Sequence, residues 1–267
     1  MDKSLSVAQA HYLKARSRHK RRILAGQILL FFLFIGIWEL TARTGLLNDF
    51  IFSSPSRMIS CFVSMTKDFS IFGHIGITLA ETIGSFLLVM AFGILVAMTL
   101  WLFPSLAELL EPYLVMLNSL PKSAMAPVLI VWLGNNVKTI IVAAVSVAVF
   151  GSIMTLHTGF KEVDSDKIKL IYTLGGNKRD VLLKVLVPSS VPLIINNMKV
   201  NIGLCLVGVI IGEFLAADKG LGYLIIYGSQ VFKMDIVMMS IVILCILSMG
   251  FYRLISMLEK RMSRSSS

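Results

Sequence analysis

Long uncharged stretches dominate the chain, and they are long enough to cross a bilayer. The hydrocarbon core is about 30 Å thick, which requires about 20 apolar residues in a helix. Six such stretches cover residues 23–40, 83–103, roughly 113–133, 139–160, roughly 185–211 and 236–257. The pattern therefore predicts an all-α, polytopic integral membrane protein with about six transmembrane helices.

Prolines interrupt two of the six predicted spans. Pro112, Pro121 and Pro127 lie in the third span, and Pro188 and Pro192 lie in the fifth. Proline inside a helix removes a backbone hydrogen bond and clashes with the preceding turn. We therefore expect broken or bent helices at these two places.

Composition excludes a water-soluble globule. Hydrophobic residues make up 56% of the 267 residues, charged residues only 15%, and the mean hydropathy is +0.83. The net charge of +10 in so apolar a chain indicates cytoplasmic loops and anionic lipid rather than nucleic acid. The cysteines, Cys61, Cys205 and Cys245, are scattered and odd in number, so they are interpreted as packing residues rather than a disulfide or zinc framework.

The basic residues are distributed unevenly between the predicted faces. With the N-terminus inside, 17 of the 25 lysines and arginines lie on the cytoplasmic side and 6 lie outside. The positive-inside rule then predicts that both termini are cytoplasmic. The predicted organisation is a basic tail at residues 1–22, a transmembrane domain at 23–257 and a second tail at 258–267.

The connection at residues 161–188 is too long and too charged for a simple linker. Apolar residues recur at helical spacing up to Leu174, Gly175 and Gly176 break the pattern, and Asn177 can cap a second short helix. One interpretation is an amphipathic loop on the membrane surface. The other is a docking element for a cytoplasmic partner.

Several sequence stretches resemble one transporter family. Residues 173–177 (Thr-Leu-Gly-Gly-Asn), followed by residues 184–188 (Lys-Val-Leu-Val-Pro) and Pro192, resemble the cytoplasmic signature loop of binding-protein-dependent ABC transporter permeases. Residues 53–56, 120–134 and 212–225 resemble the subfamily that imports nitrate, taurine, alkanesulfonates, bicarbonate and some thiamine-related pyrimidines. The resemblance extends over roughly residues 53–252.

The resemblance implies a MetI-like fold, that of a type I ABC importer permease. It also implies a homodimer that binds two ATPase subunits, receives solute from an extracellular or periplasmic solute-binding protein, and works by alternating access. Two positions depart from the family pattern: Lys169 replaces the usual signature glutamate, and Val187 replaces the leucine before the proline. The residues that the resemblance assigns to ATPase coupling are Thr173, Leu174, Gly175, Gly176, Asn177, Lys178, Arg179, Asp180, Val181, Leu183 and Pro188.

No catalytic or metal-binding constellation is evident in the sequence. The chain lacks any Gly-Lys dipeptide and hence a P-loop, so ATP hydrolysis is expected on another chain. The four histidines do not pair at helical spacing, so no metal site, catalytic site or cofactor is predicted. The alternative, an ion-coupled secondary transporter, would need carboxylates near the membrane midplane. The sequence places Glu81 and Glu213, like the other glutamates, at span ends or in loops.

Four polar residues in or beside spans are candidates for the translocation pathway: Asn118, Lys122, Lys199 and Glu213. Charged groups inside a membrane are costly and often functional, and a lysine here could attract an anionic solute. The structural alternatives are that Lys122 snorkels or pairs with a backbone carbonyl, that Lys199 rests at the cytoplasmic interface, and that Glu213 caps a short helix.

Overall fold

The computed structural model describes residues 7–46 and 52–265, which are helical and contain no strand. The twelve α-helices in this part of the chain, joined in one place by a π-helical turn, are α1 Val7–Arg43, α2 Pro55–Lys67, α3 Ser70–Leu102, α4 Pro104–Ser119, α5 Lys122–Leu133, α6 Val137–Lys161, α7 Ser165–Thr173, α8 Lys178–Val181, the π-helical turn Leu182–Leu186, α9 Val187–Ser189, α10 Val191–Ala216, α11 Leu221–Gln230 and α12 Met234–Ser265. The all-α prediction is confirmed.

Five helical segments are long and apolar enough to cross a membrane: Arg21–Arg43 within α1, then α3, α6, α10 and, within α12, Met234–Lys260. The third predicted span is instead the pair α4 and α5, which are bent by 102° at Leu120 and Pro121. The described part of the chain therefore has five or six spans, six if the bent pair counts as one. The expected break in the third span is confirmed.

Two predicted boundaries are wrong. The second span begins at Ser70 rather than at residue 83, so α3 is 33 residues long. The fifth span begins at Val191 rather than at residue 185, because Ser190 ends the preceding helical segment and Pro192 lies in the first turn of α10. Residues 185–190 thus belong to the connection between α6 and α10 and not to the long apolar helix.

The core lies where α3, α6 and α10 pack together. Gly208 and Gly212 of α10 face Ala144 and Ile140 of α6 so closely that a Cβ at Gly208 would lie 2.5 Å from the Ala144 Cα. Small residues four apart permit such close helix approach. Gly208 and Gly212 therefore serve helix packing within the chain.

Helix α1 lies apart from this core. Its side chains between residues 21 and 40 are mostly exposed, and it meets α2 through Glu39, whose carboxylate accepts hydrogen bonds from Arg43 at 2.6 Å and from the Ser56 amide at 3.1 Å. The helix begins at Val7, so it also runs through most of the predicted basic tail.

Candidate functional site

The connection between α6 and α10 folds into a protrusion, defined here as residues 161–190. Its first half is α7, which begins where the Asp164 carboxylate accepts a hydrogen bond from the Asp166 amide at 2.9 Å. The helix ends at Thr173, and Gly175 follows with a φ of +81°, the left-handed conformation that glycine adopts without strain. The Gly176 amide then closes the corner by donating to the Ile171 carbonyl at 2.9 Å.

The second half of the protrusion starts with a capping box. The Asn177 side chain accepts hydrogen bonds from the Arg179 and Asp180 amides, and the Asp180 carboxylate accepts one from the Asn177 amide at 3.0 Å. Asp180 also pairs with Lys184 at 2.8 Å. The hydrogen bond from Lys184, and then that from Asn177, hold the pKa of Asp180 below its usual value. The predicted glycine corner and Asn177 cap are confirmed.

The second half is anchored to the membrane domain. Leu186 is fully buried and packs against Ala97 of α3 and against Leu156 and Phe160 of α6. Val181 is fully buried as well. Because Leu186 contacts the C-terminal ends of two core helices, a displacement of the protrusion must also displace those helices.

The outer surface of the protrusion carries exposed apolar side chains. The exposed fractions are 58% for Leu170, 44% for Tyr172, 75% for Leu174 and 67% for Leu183. Large apolar side chains grouped on a charged segment outside the spans are typical of a protein interface. Leu170 and Tyr172 were not among the predicted coupling residues, although Tyr172 lies in the helical pattern that predicted α7.

The eleven predicted coupling residues are brought together on this protrusion. Gly176 and Asp180 are half-buried, Val181 is buried, and the other eight are exposed. Gly176 is closely packed within the protrusion. Gly176 approaches Ile171 of its own loop and not a free surface, since a Cβ there would lie 2.5 Å from Ile171 Cγ2. Lys169, the departure from the family pattern, pairs locally with Asp166 at 3.1 Å.

The four pathway candidates are not brought into one cluster. Lys122 donates a hydrogen bond to the Asn118 carbonyl across the break between α4 and α5. Lys199 pairs with Glu259 of α12 at 2.6 Å, lies over the Tyr252 ring, and has a side chain only 15% exposed. The Lys122 contact is the carbonyl pairing expected in its structural alternative, whereas the ion pair of Lys199 was not expected.

Glu213 is buried near the outer end of α10. Its carboxylate accepts hydrogen bonds from the Thr78 hydroxyl and the Gly222 amide, each at 2.6 Å. It therefore caps the start of α11, as one interpretation predicted. Since Lys199 and Glu213 are 14 residues apart on one helix, they are separated by about 21 Å.

The expected position of Glu81 is wrong. It is 4% exposed and lies 11 residues inside α3, not at a span end. The sequence interpretation started the span at residue 83 and so left Glu81 outside it. Within the described residues, no group of three or more histidine, cysteine, aspartate or glutamate side chains could hold a metal ion.

Together, the apolar helices and the anchored protrusion define a class: a polytopic membrane subunit with a protrusion that carries exposed apolar side chains. Residues 89–264 match the family described as binding-protein-dependent transport system inner membrane component. The chain belongs to this family. It is the membrane-spanning permease subunit of an ABC importer, and the family implies ATPase and binding-protein partners.

Curated relatives resemble the chain over most of its length. The formylaminopyrimidine transport permease ThiX of Halalkalibacterium halodurans is 27% identical over 76% of this chain and 81% of its own. The putative aliphatic sulfonates transport permease SsuC of Bacillus subtilis is 23% identical over 97% and 94%. The taurine transport permease TauC of Escherichia coli is 22% identical over 79% of each chain.

A solved structure supports the fold. A chain from an inward-facing structure of the MetNI methionine ABC transporter matches with a TM-score of 0.63 at 20% sequence identity. The match covers 74% of this chain and 97% of that one. The MetI-like permease fold is therefore confirmed.

Proposed function

We propose that the protrusion is the ATPase-coupling element of this importer. The observation that carries the proposal is the group of exposed apolar side chains, Leu170, Tyr172, Leu174 and Leu183, on a segment that is anchored to the membrane domain by the buried Leu186. Exposed apolar residues provide affinity for a groove on the partner. The contacts of Leu186 provide a rigid connection to α3 and α6.

The proposed assembly is a homodimer with two ATPase subunits that moves solute by alternating access. ATP binding would bring the two ATPase subunits together and, through the protrusions, change which side the cavity faces. Nucleotide must then bind more tightly to the outward-facing state, since equal affinity for both states shifts no equilibrium. The solute would be delivered by an external solute-binding protein.

Substitution of the exposed leucines tests the docking proposal. Leu174→Asp and Leu183→Asp place charge in the proposed interface and should reduce co-purification of the ATPase at least about tenfold, as removal of interface hot spots does. Neither side chain packs inside the permease, so yield and thermal stability should stay unchanged. Leu46→Asp, at a residue 78% exposed on the proposed outer face, is the matched control. Normal ATPase recovery with both protrusion variants would refute the proposal.

The proposed solute is a small anion such as a sulfonate, taurine or nitrate, or else a thiamine-precursor pyrimidine. The support comes from the relatives named for sulfonate, taurine and formylaminopyrimidine transport. Uptake of each labelled compound by vesicles containing the assembled importer would identify it. Lys122→Gln should lower uptake of an anion if this lysine lines the pathway, and unchanged uptake would leave Lys122 as a cap for the α4 carbonyl.

The proposed orientation places both termini in the cytoplasm of the cell. The support is the excess of basic residues on one face, which includes the protrusion. Topology reporters fused after Lys219 and after Ser265 should report the outside and the inside respectively. An external signal at Ser265 would overturn the orientation.

A further inference from the structure

Two buried carboxyl groups lie at the interface of α3 and α10. Glu81 is 4% exposed and Glu213 is 1% exposed, and the hydroxyl of Thr78, one helical turn before Glu81 on α3, donates to the Glu213 carboxylate at 2.6 Å. No lysine or arginine is seen to pair with either of them in the described part of the chain. Two ionised carboxylates without a cation would repel each other strongly at such a position.

The hydrogen bonds indicate which carboxyl group carries a proton. A buried ionised carboxylate needs hydrogen-bond donors or a cation beside it. Glu213 accepts from the Thr78 hydroxyl and the Gly222 amide, which identifies it as the carboxylate. Glu81 is then the neutral acid, since its buried Oε2 has no partner among the described residues, and its O–H is the donor available to Glu213.

The surroundings add polar groups but no opposing charge. Thr78, Glu81, Thr82 and Ser85 form a buried stripe along one face of α3, and the Thr82 and Ser85 hydroxyls have no partner among the described residues either. The facing residues of α6, Ile140, Ala143 and Ala144, are apolar.

The titratable and charged groups of the neighbouring elements have other partners. On α3, His74 contacts the Gly220 backbone, and Lys219 lies near His74. Asp235 of α12 is bonded to Ser53 and Arg57.

Glu213 also holds the turn that leads into α11, defined here as the outer turn, Gly220 to Gly222. A Cβ at Gly220 would lie 2.4 Å from the Glu213 carboxyl carbon, and one at Gly222 would lie 2.8 Å from Glu213 Oε2. The Leu221 amide donates to the Thr78 hydroxyl at 2.9 Å. The turn therefore covers the carboxyl pair and shields it from the outside.

We propose that Glu81 and Glu213 form a proton-binding site that is occupied while the outer turn is docked. When the turn moves away, Glu213 loses the Gly222 amide and water reaches the pair. The O–H bond of the Glu81 acid then breaks, the proton passes to water as hydronium, and Glu81 is left as a carboxylate. Because docking requires the proton, a rise in external pH favours the undocked turn, and acid favours the docked one.

Infrared spectroscopy of the reconstituted full-length protein at neutral pH tests the bound proton directly. A carbonyl stretch from a protonated carboxylic acid should be present in the wild type and lost in Glu81→Gln. Glu108→Gln, at an exposed glutamate, is the control and should keep the band. Absence of the band, or its survival in Glu81→Gln, would overturn the proposal.

Spin labelling tests the link to the outer turn. A nitroxide at Asp218→Cys, in a variant with Cys61→Ser, Cys205→Ala and Cys245→Ala, should become more mobile as the pH rises. A one-proton linkage changes the ratio of docked to undocked turn by up to about tenfold per pH unit. Glu81→Gln keeps a donor for Glu213 but cannot ionise, so it should remove this dependence.

A titration with sodium at fixed pH separates a proton site from a cation site. A nitroxide mobility that changes with sodium concentration and not with pH would refute the proposal. A pH-dependent nitroxide mobility that persists in Glu81→Gln would refute it as well. Both measurements use the permease without ATPase or solute, so their outcome is independent of the proposed docking and transport functions.

Discussion

The protrusion and the outer turn have similar sequences and opposite environments. In each, glycines lie at the start of a helix: Gly175 and Gly176 before α8, and Gly220 before α11 with Gly222 in its first turn. A Cβ at Gly175 would meet nothing within 4 Å, whereas one at Gly220 would collide with Glu213. The comparison shows that a left-handed glycine fixes the direction of the chain, while the space beside it decides whether the corner remains free for a partner or is closed from within.

The largest effect is expected where the outer turn is closed. Glu213→Leu removes the acceptor for the Thr78 hydroxyl and the Gly222 amide, and an unsatisfied buried group costs about 1–3 kcal/mol. The thermal unfolding midpoint of the purified permease should fall clearly. Leu215→Ala, at a half-exposed neighbour, should change it far less. Equal midpoints for Glu213→Leu and the wild type would mean that Glu213 does not hold the turn.

A smaller and local effect is expected at the glycine corner of the protrusion. Gly176→Ala places a Cβ 2.9 Å from the Ile171 carbonyl oxygen, and Gly175→Ala forces a side chain into the left-handed region at a cost of about 1 kcal/mol. Amide hydrogen exchange should increase in residues 170–182 and stay unchanged in α3. Faster exchange in α3 as well would show that the two regions are not independent.

The cap of α8 should have an effect of about 1 kcal/mol. Asn177→Ala removes the acceptor for the Arg179 and Asp180 amides, and loss of such a cap costs about this much. Exchange of these amides should increase, and ATPase recovery should fall only modestly because Leu174 and Leu183 remain in place. Complete loss of the ATPase would mean that Asn177 contacts the partner directly.

The smallest effect is the pH dependence of the same cap. The pKa of Asp180 is lowered mainly by Lys184, so its stabilisation is present above the pKa of the unfolded chain and is lost as the pH falls through the folded value. Asp180→Asn should make α8 insensitive to this acidification, as measured by the chemical shifts of Arg179 and Val181. Acid loosens the protrusion and, in our proposal, tightens the outer turn, so the two regions respond to pH in opposite directions.

The sequence predicted correctly those features that depend on residues close together in the chain. The glycine corner and the Asn177 cap depend on residues at most six positions apart, so the local sequence of the loop predicts them. The contact between Thr78 and Glu213 spans 135 residues and depends on how α3 and α10 pack, which no local pattern records. A partial signal was present: Thr78, Glu81, Thr82 and Ser85 follow the spacing of one helix face, and that stripe would have indicated that the second span begins before residue 83.

The π-helical turn at Leu182–Leu186 makes the orientation of the docking surface adjustable. Such a turn contains one residue more than an α-helical turn needs. Deletion of one residue would rotate the preceding segment by about 100° and draw it in by about 1.5 Å, while α10 stays in place. The loss of a single codon would thus reorient Leu174 and its neighbours in one evolutionary step. If this surface docks the ATPase, as we propose, such a change lets a permease bind a different ATPase while its membrane domain stays the same.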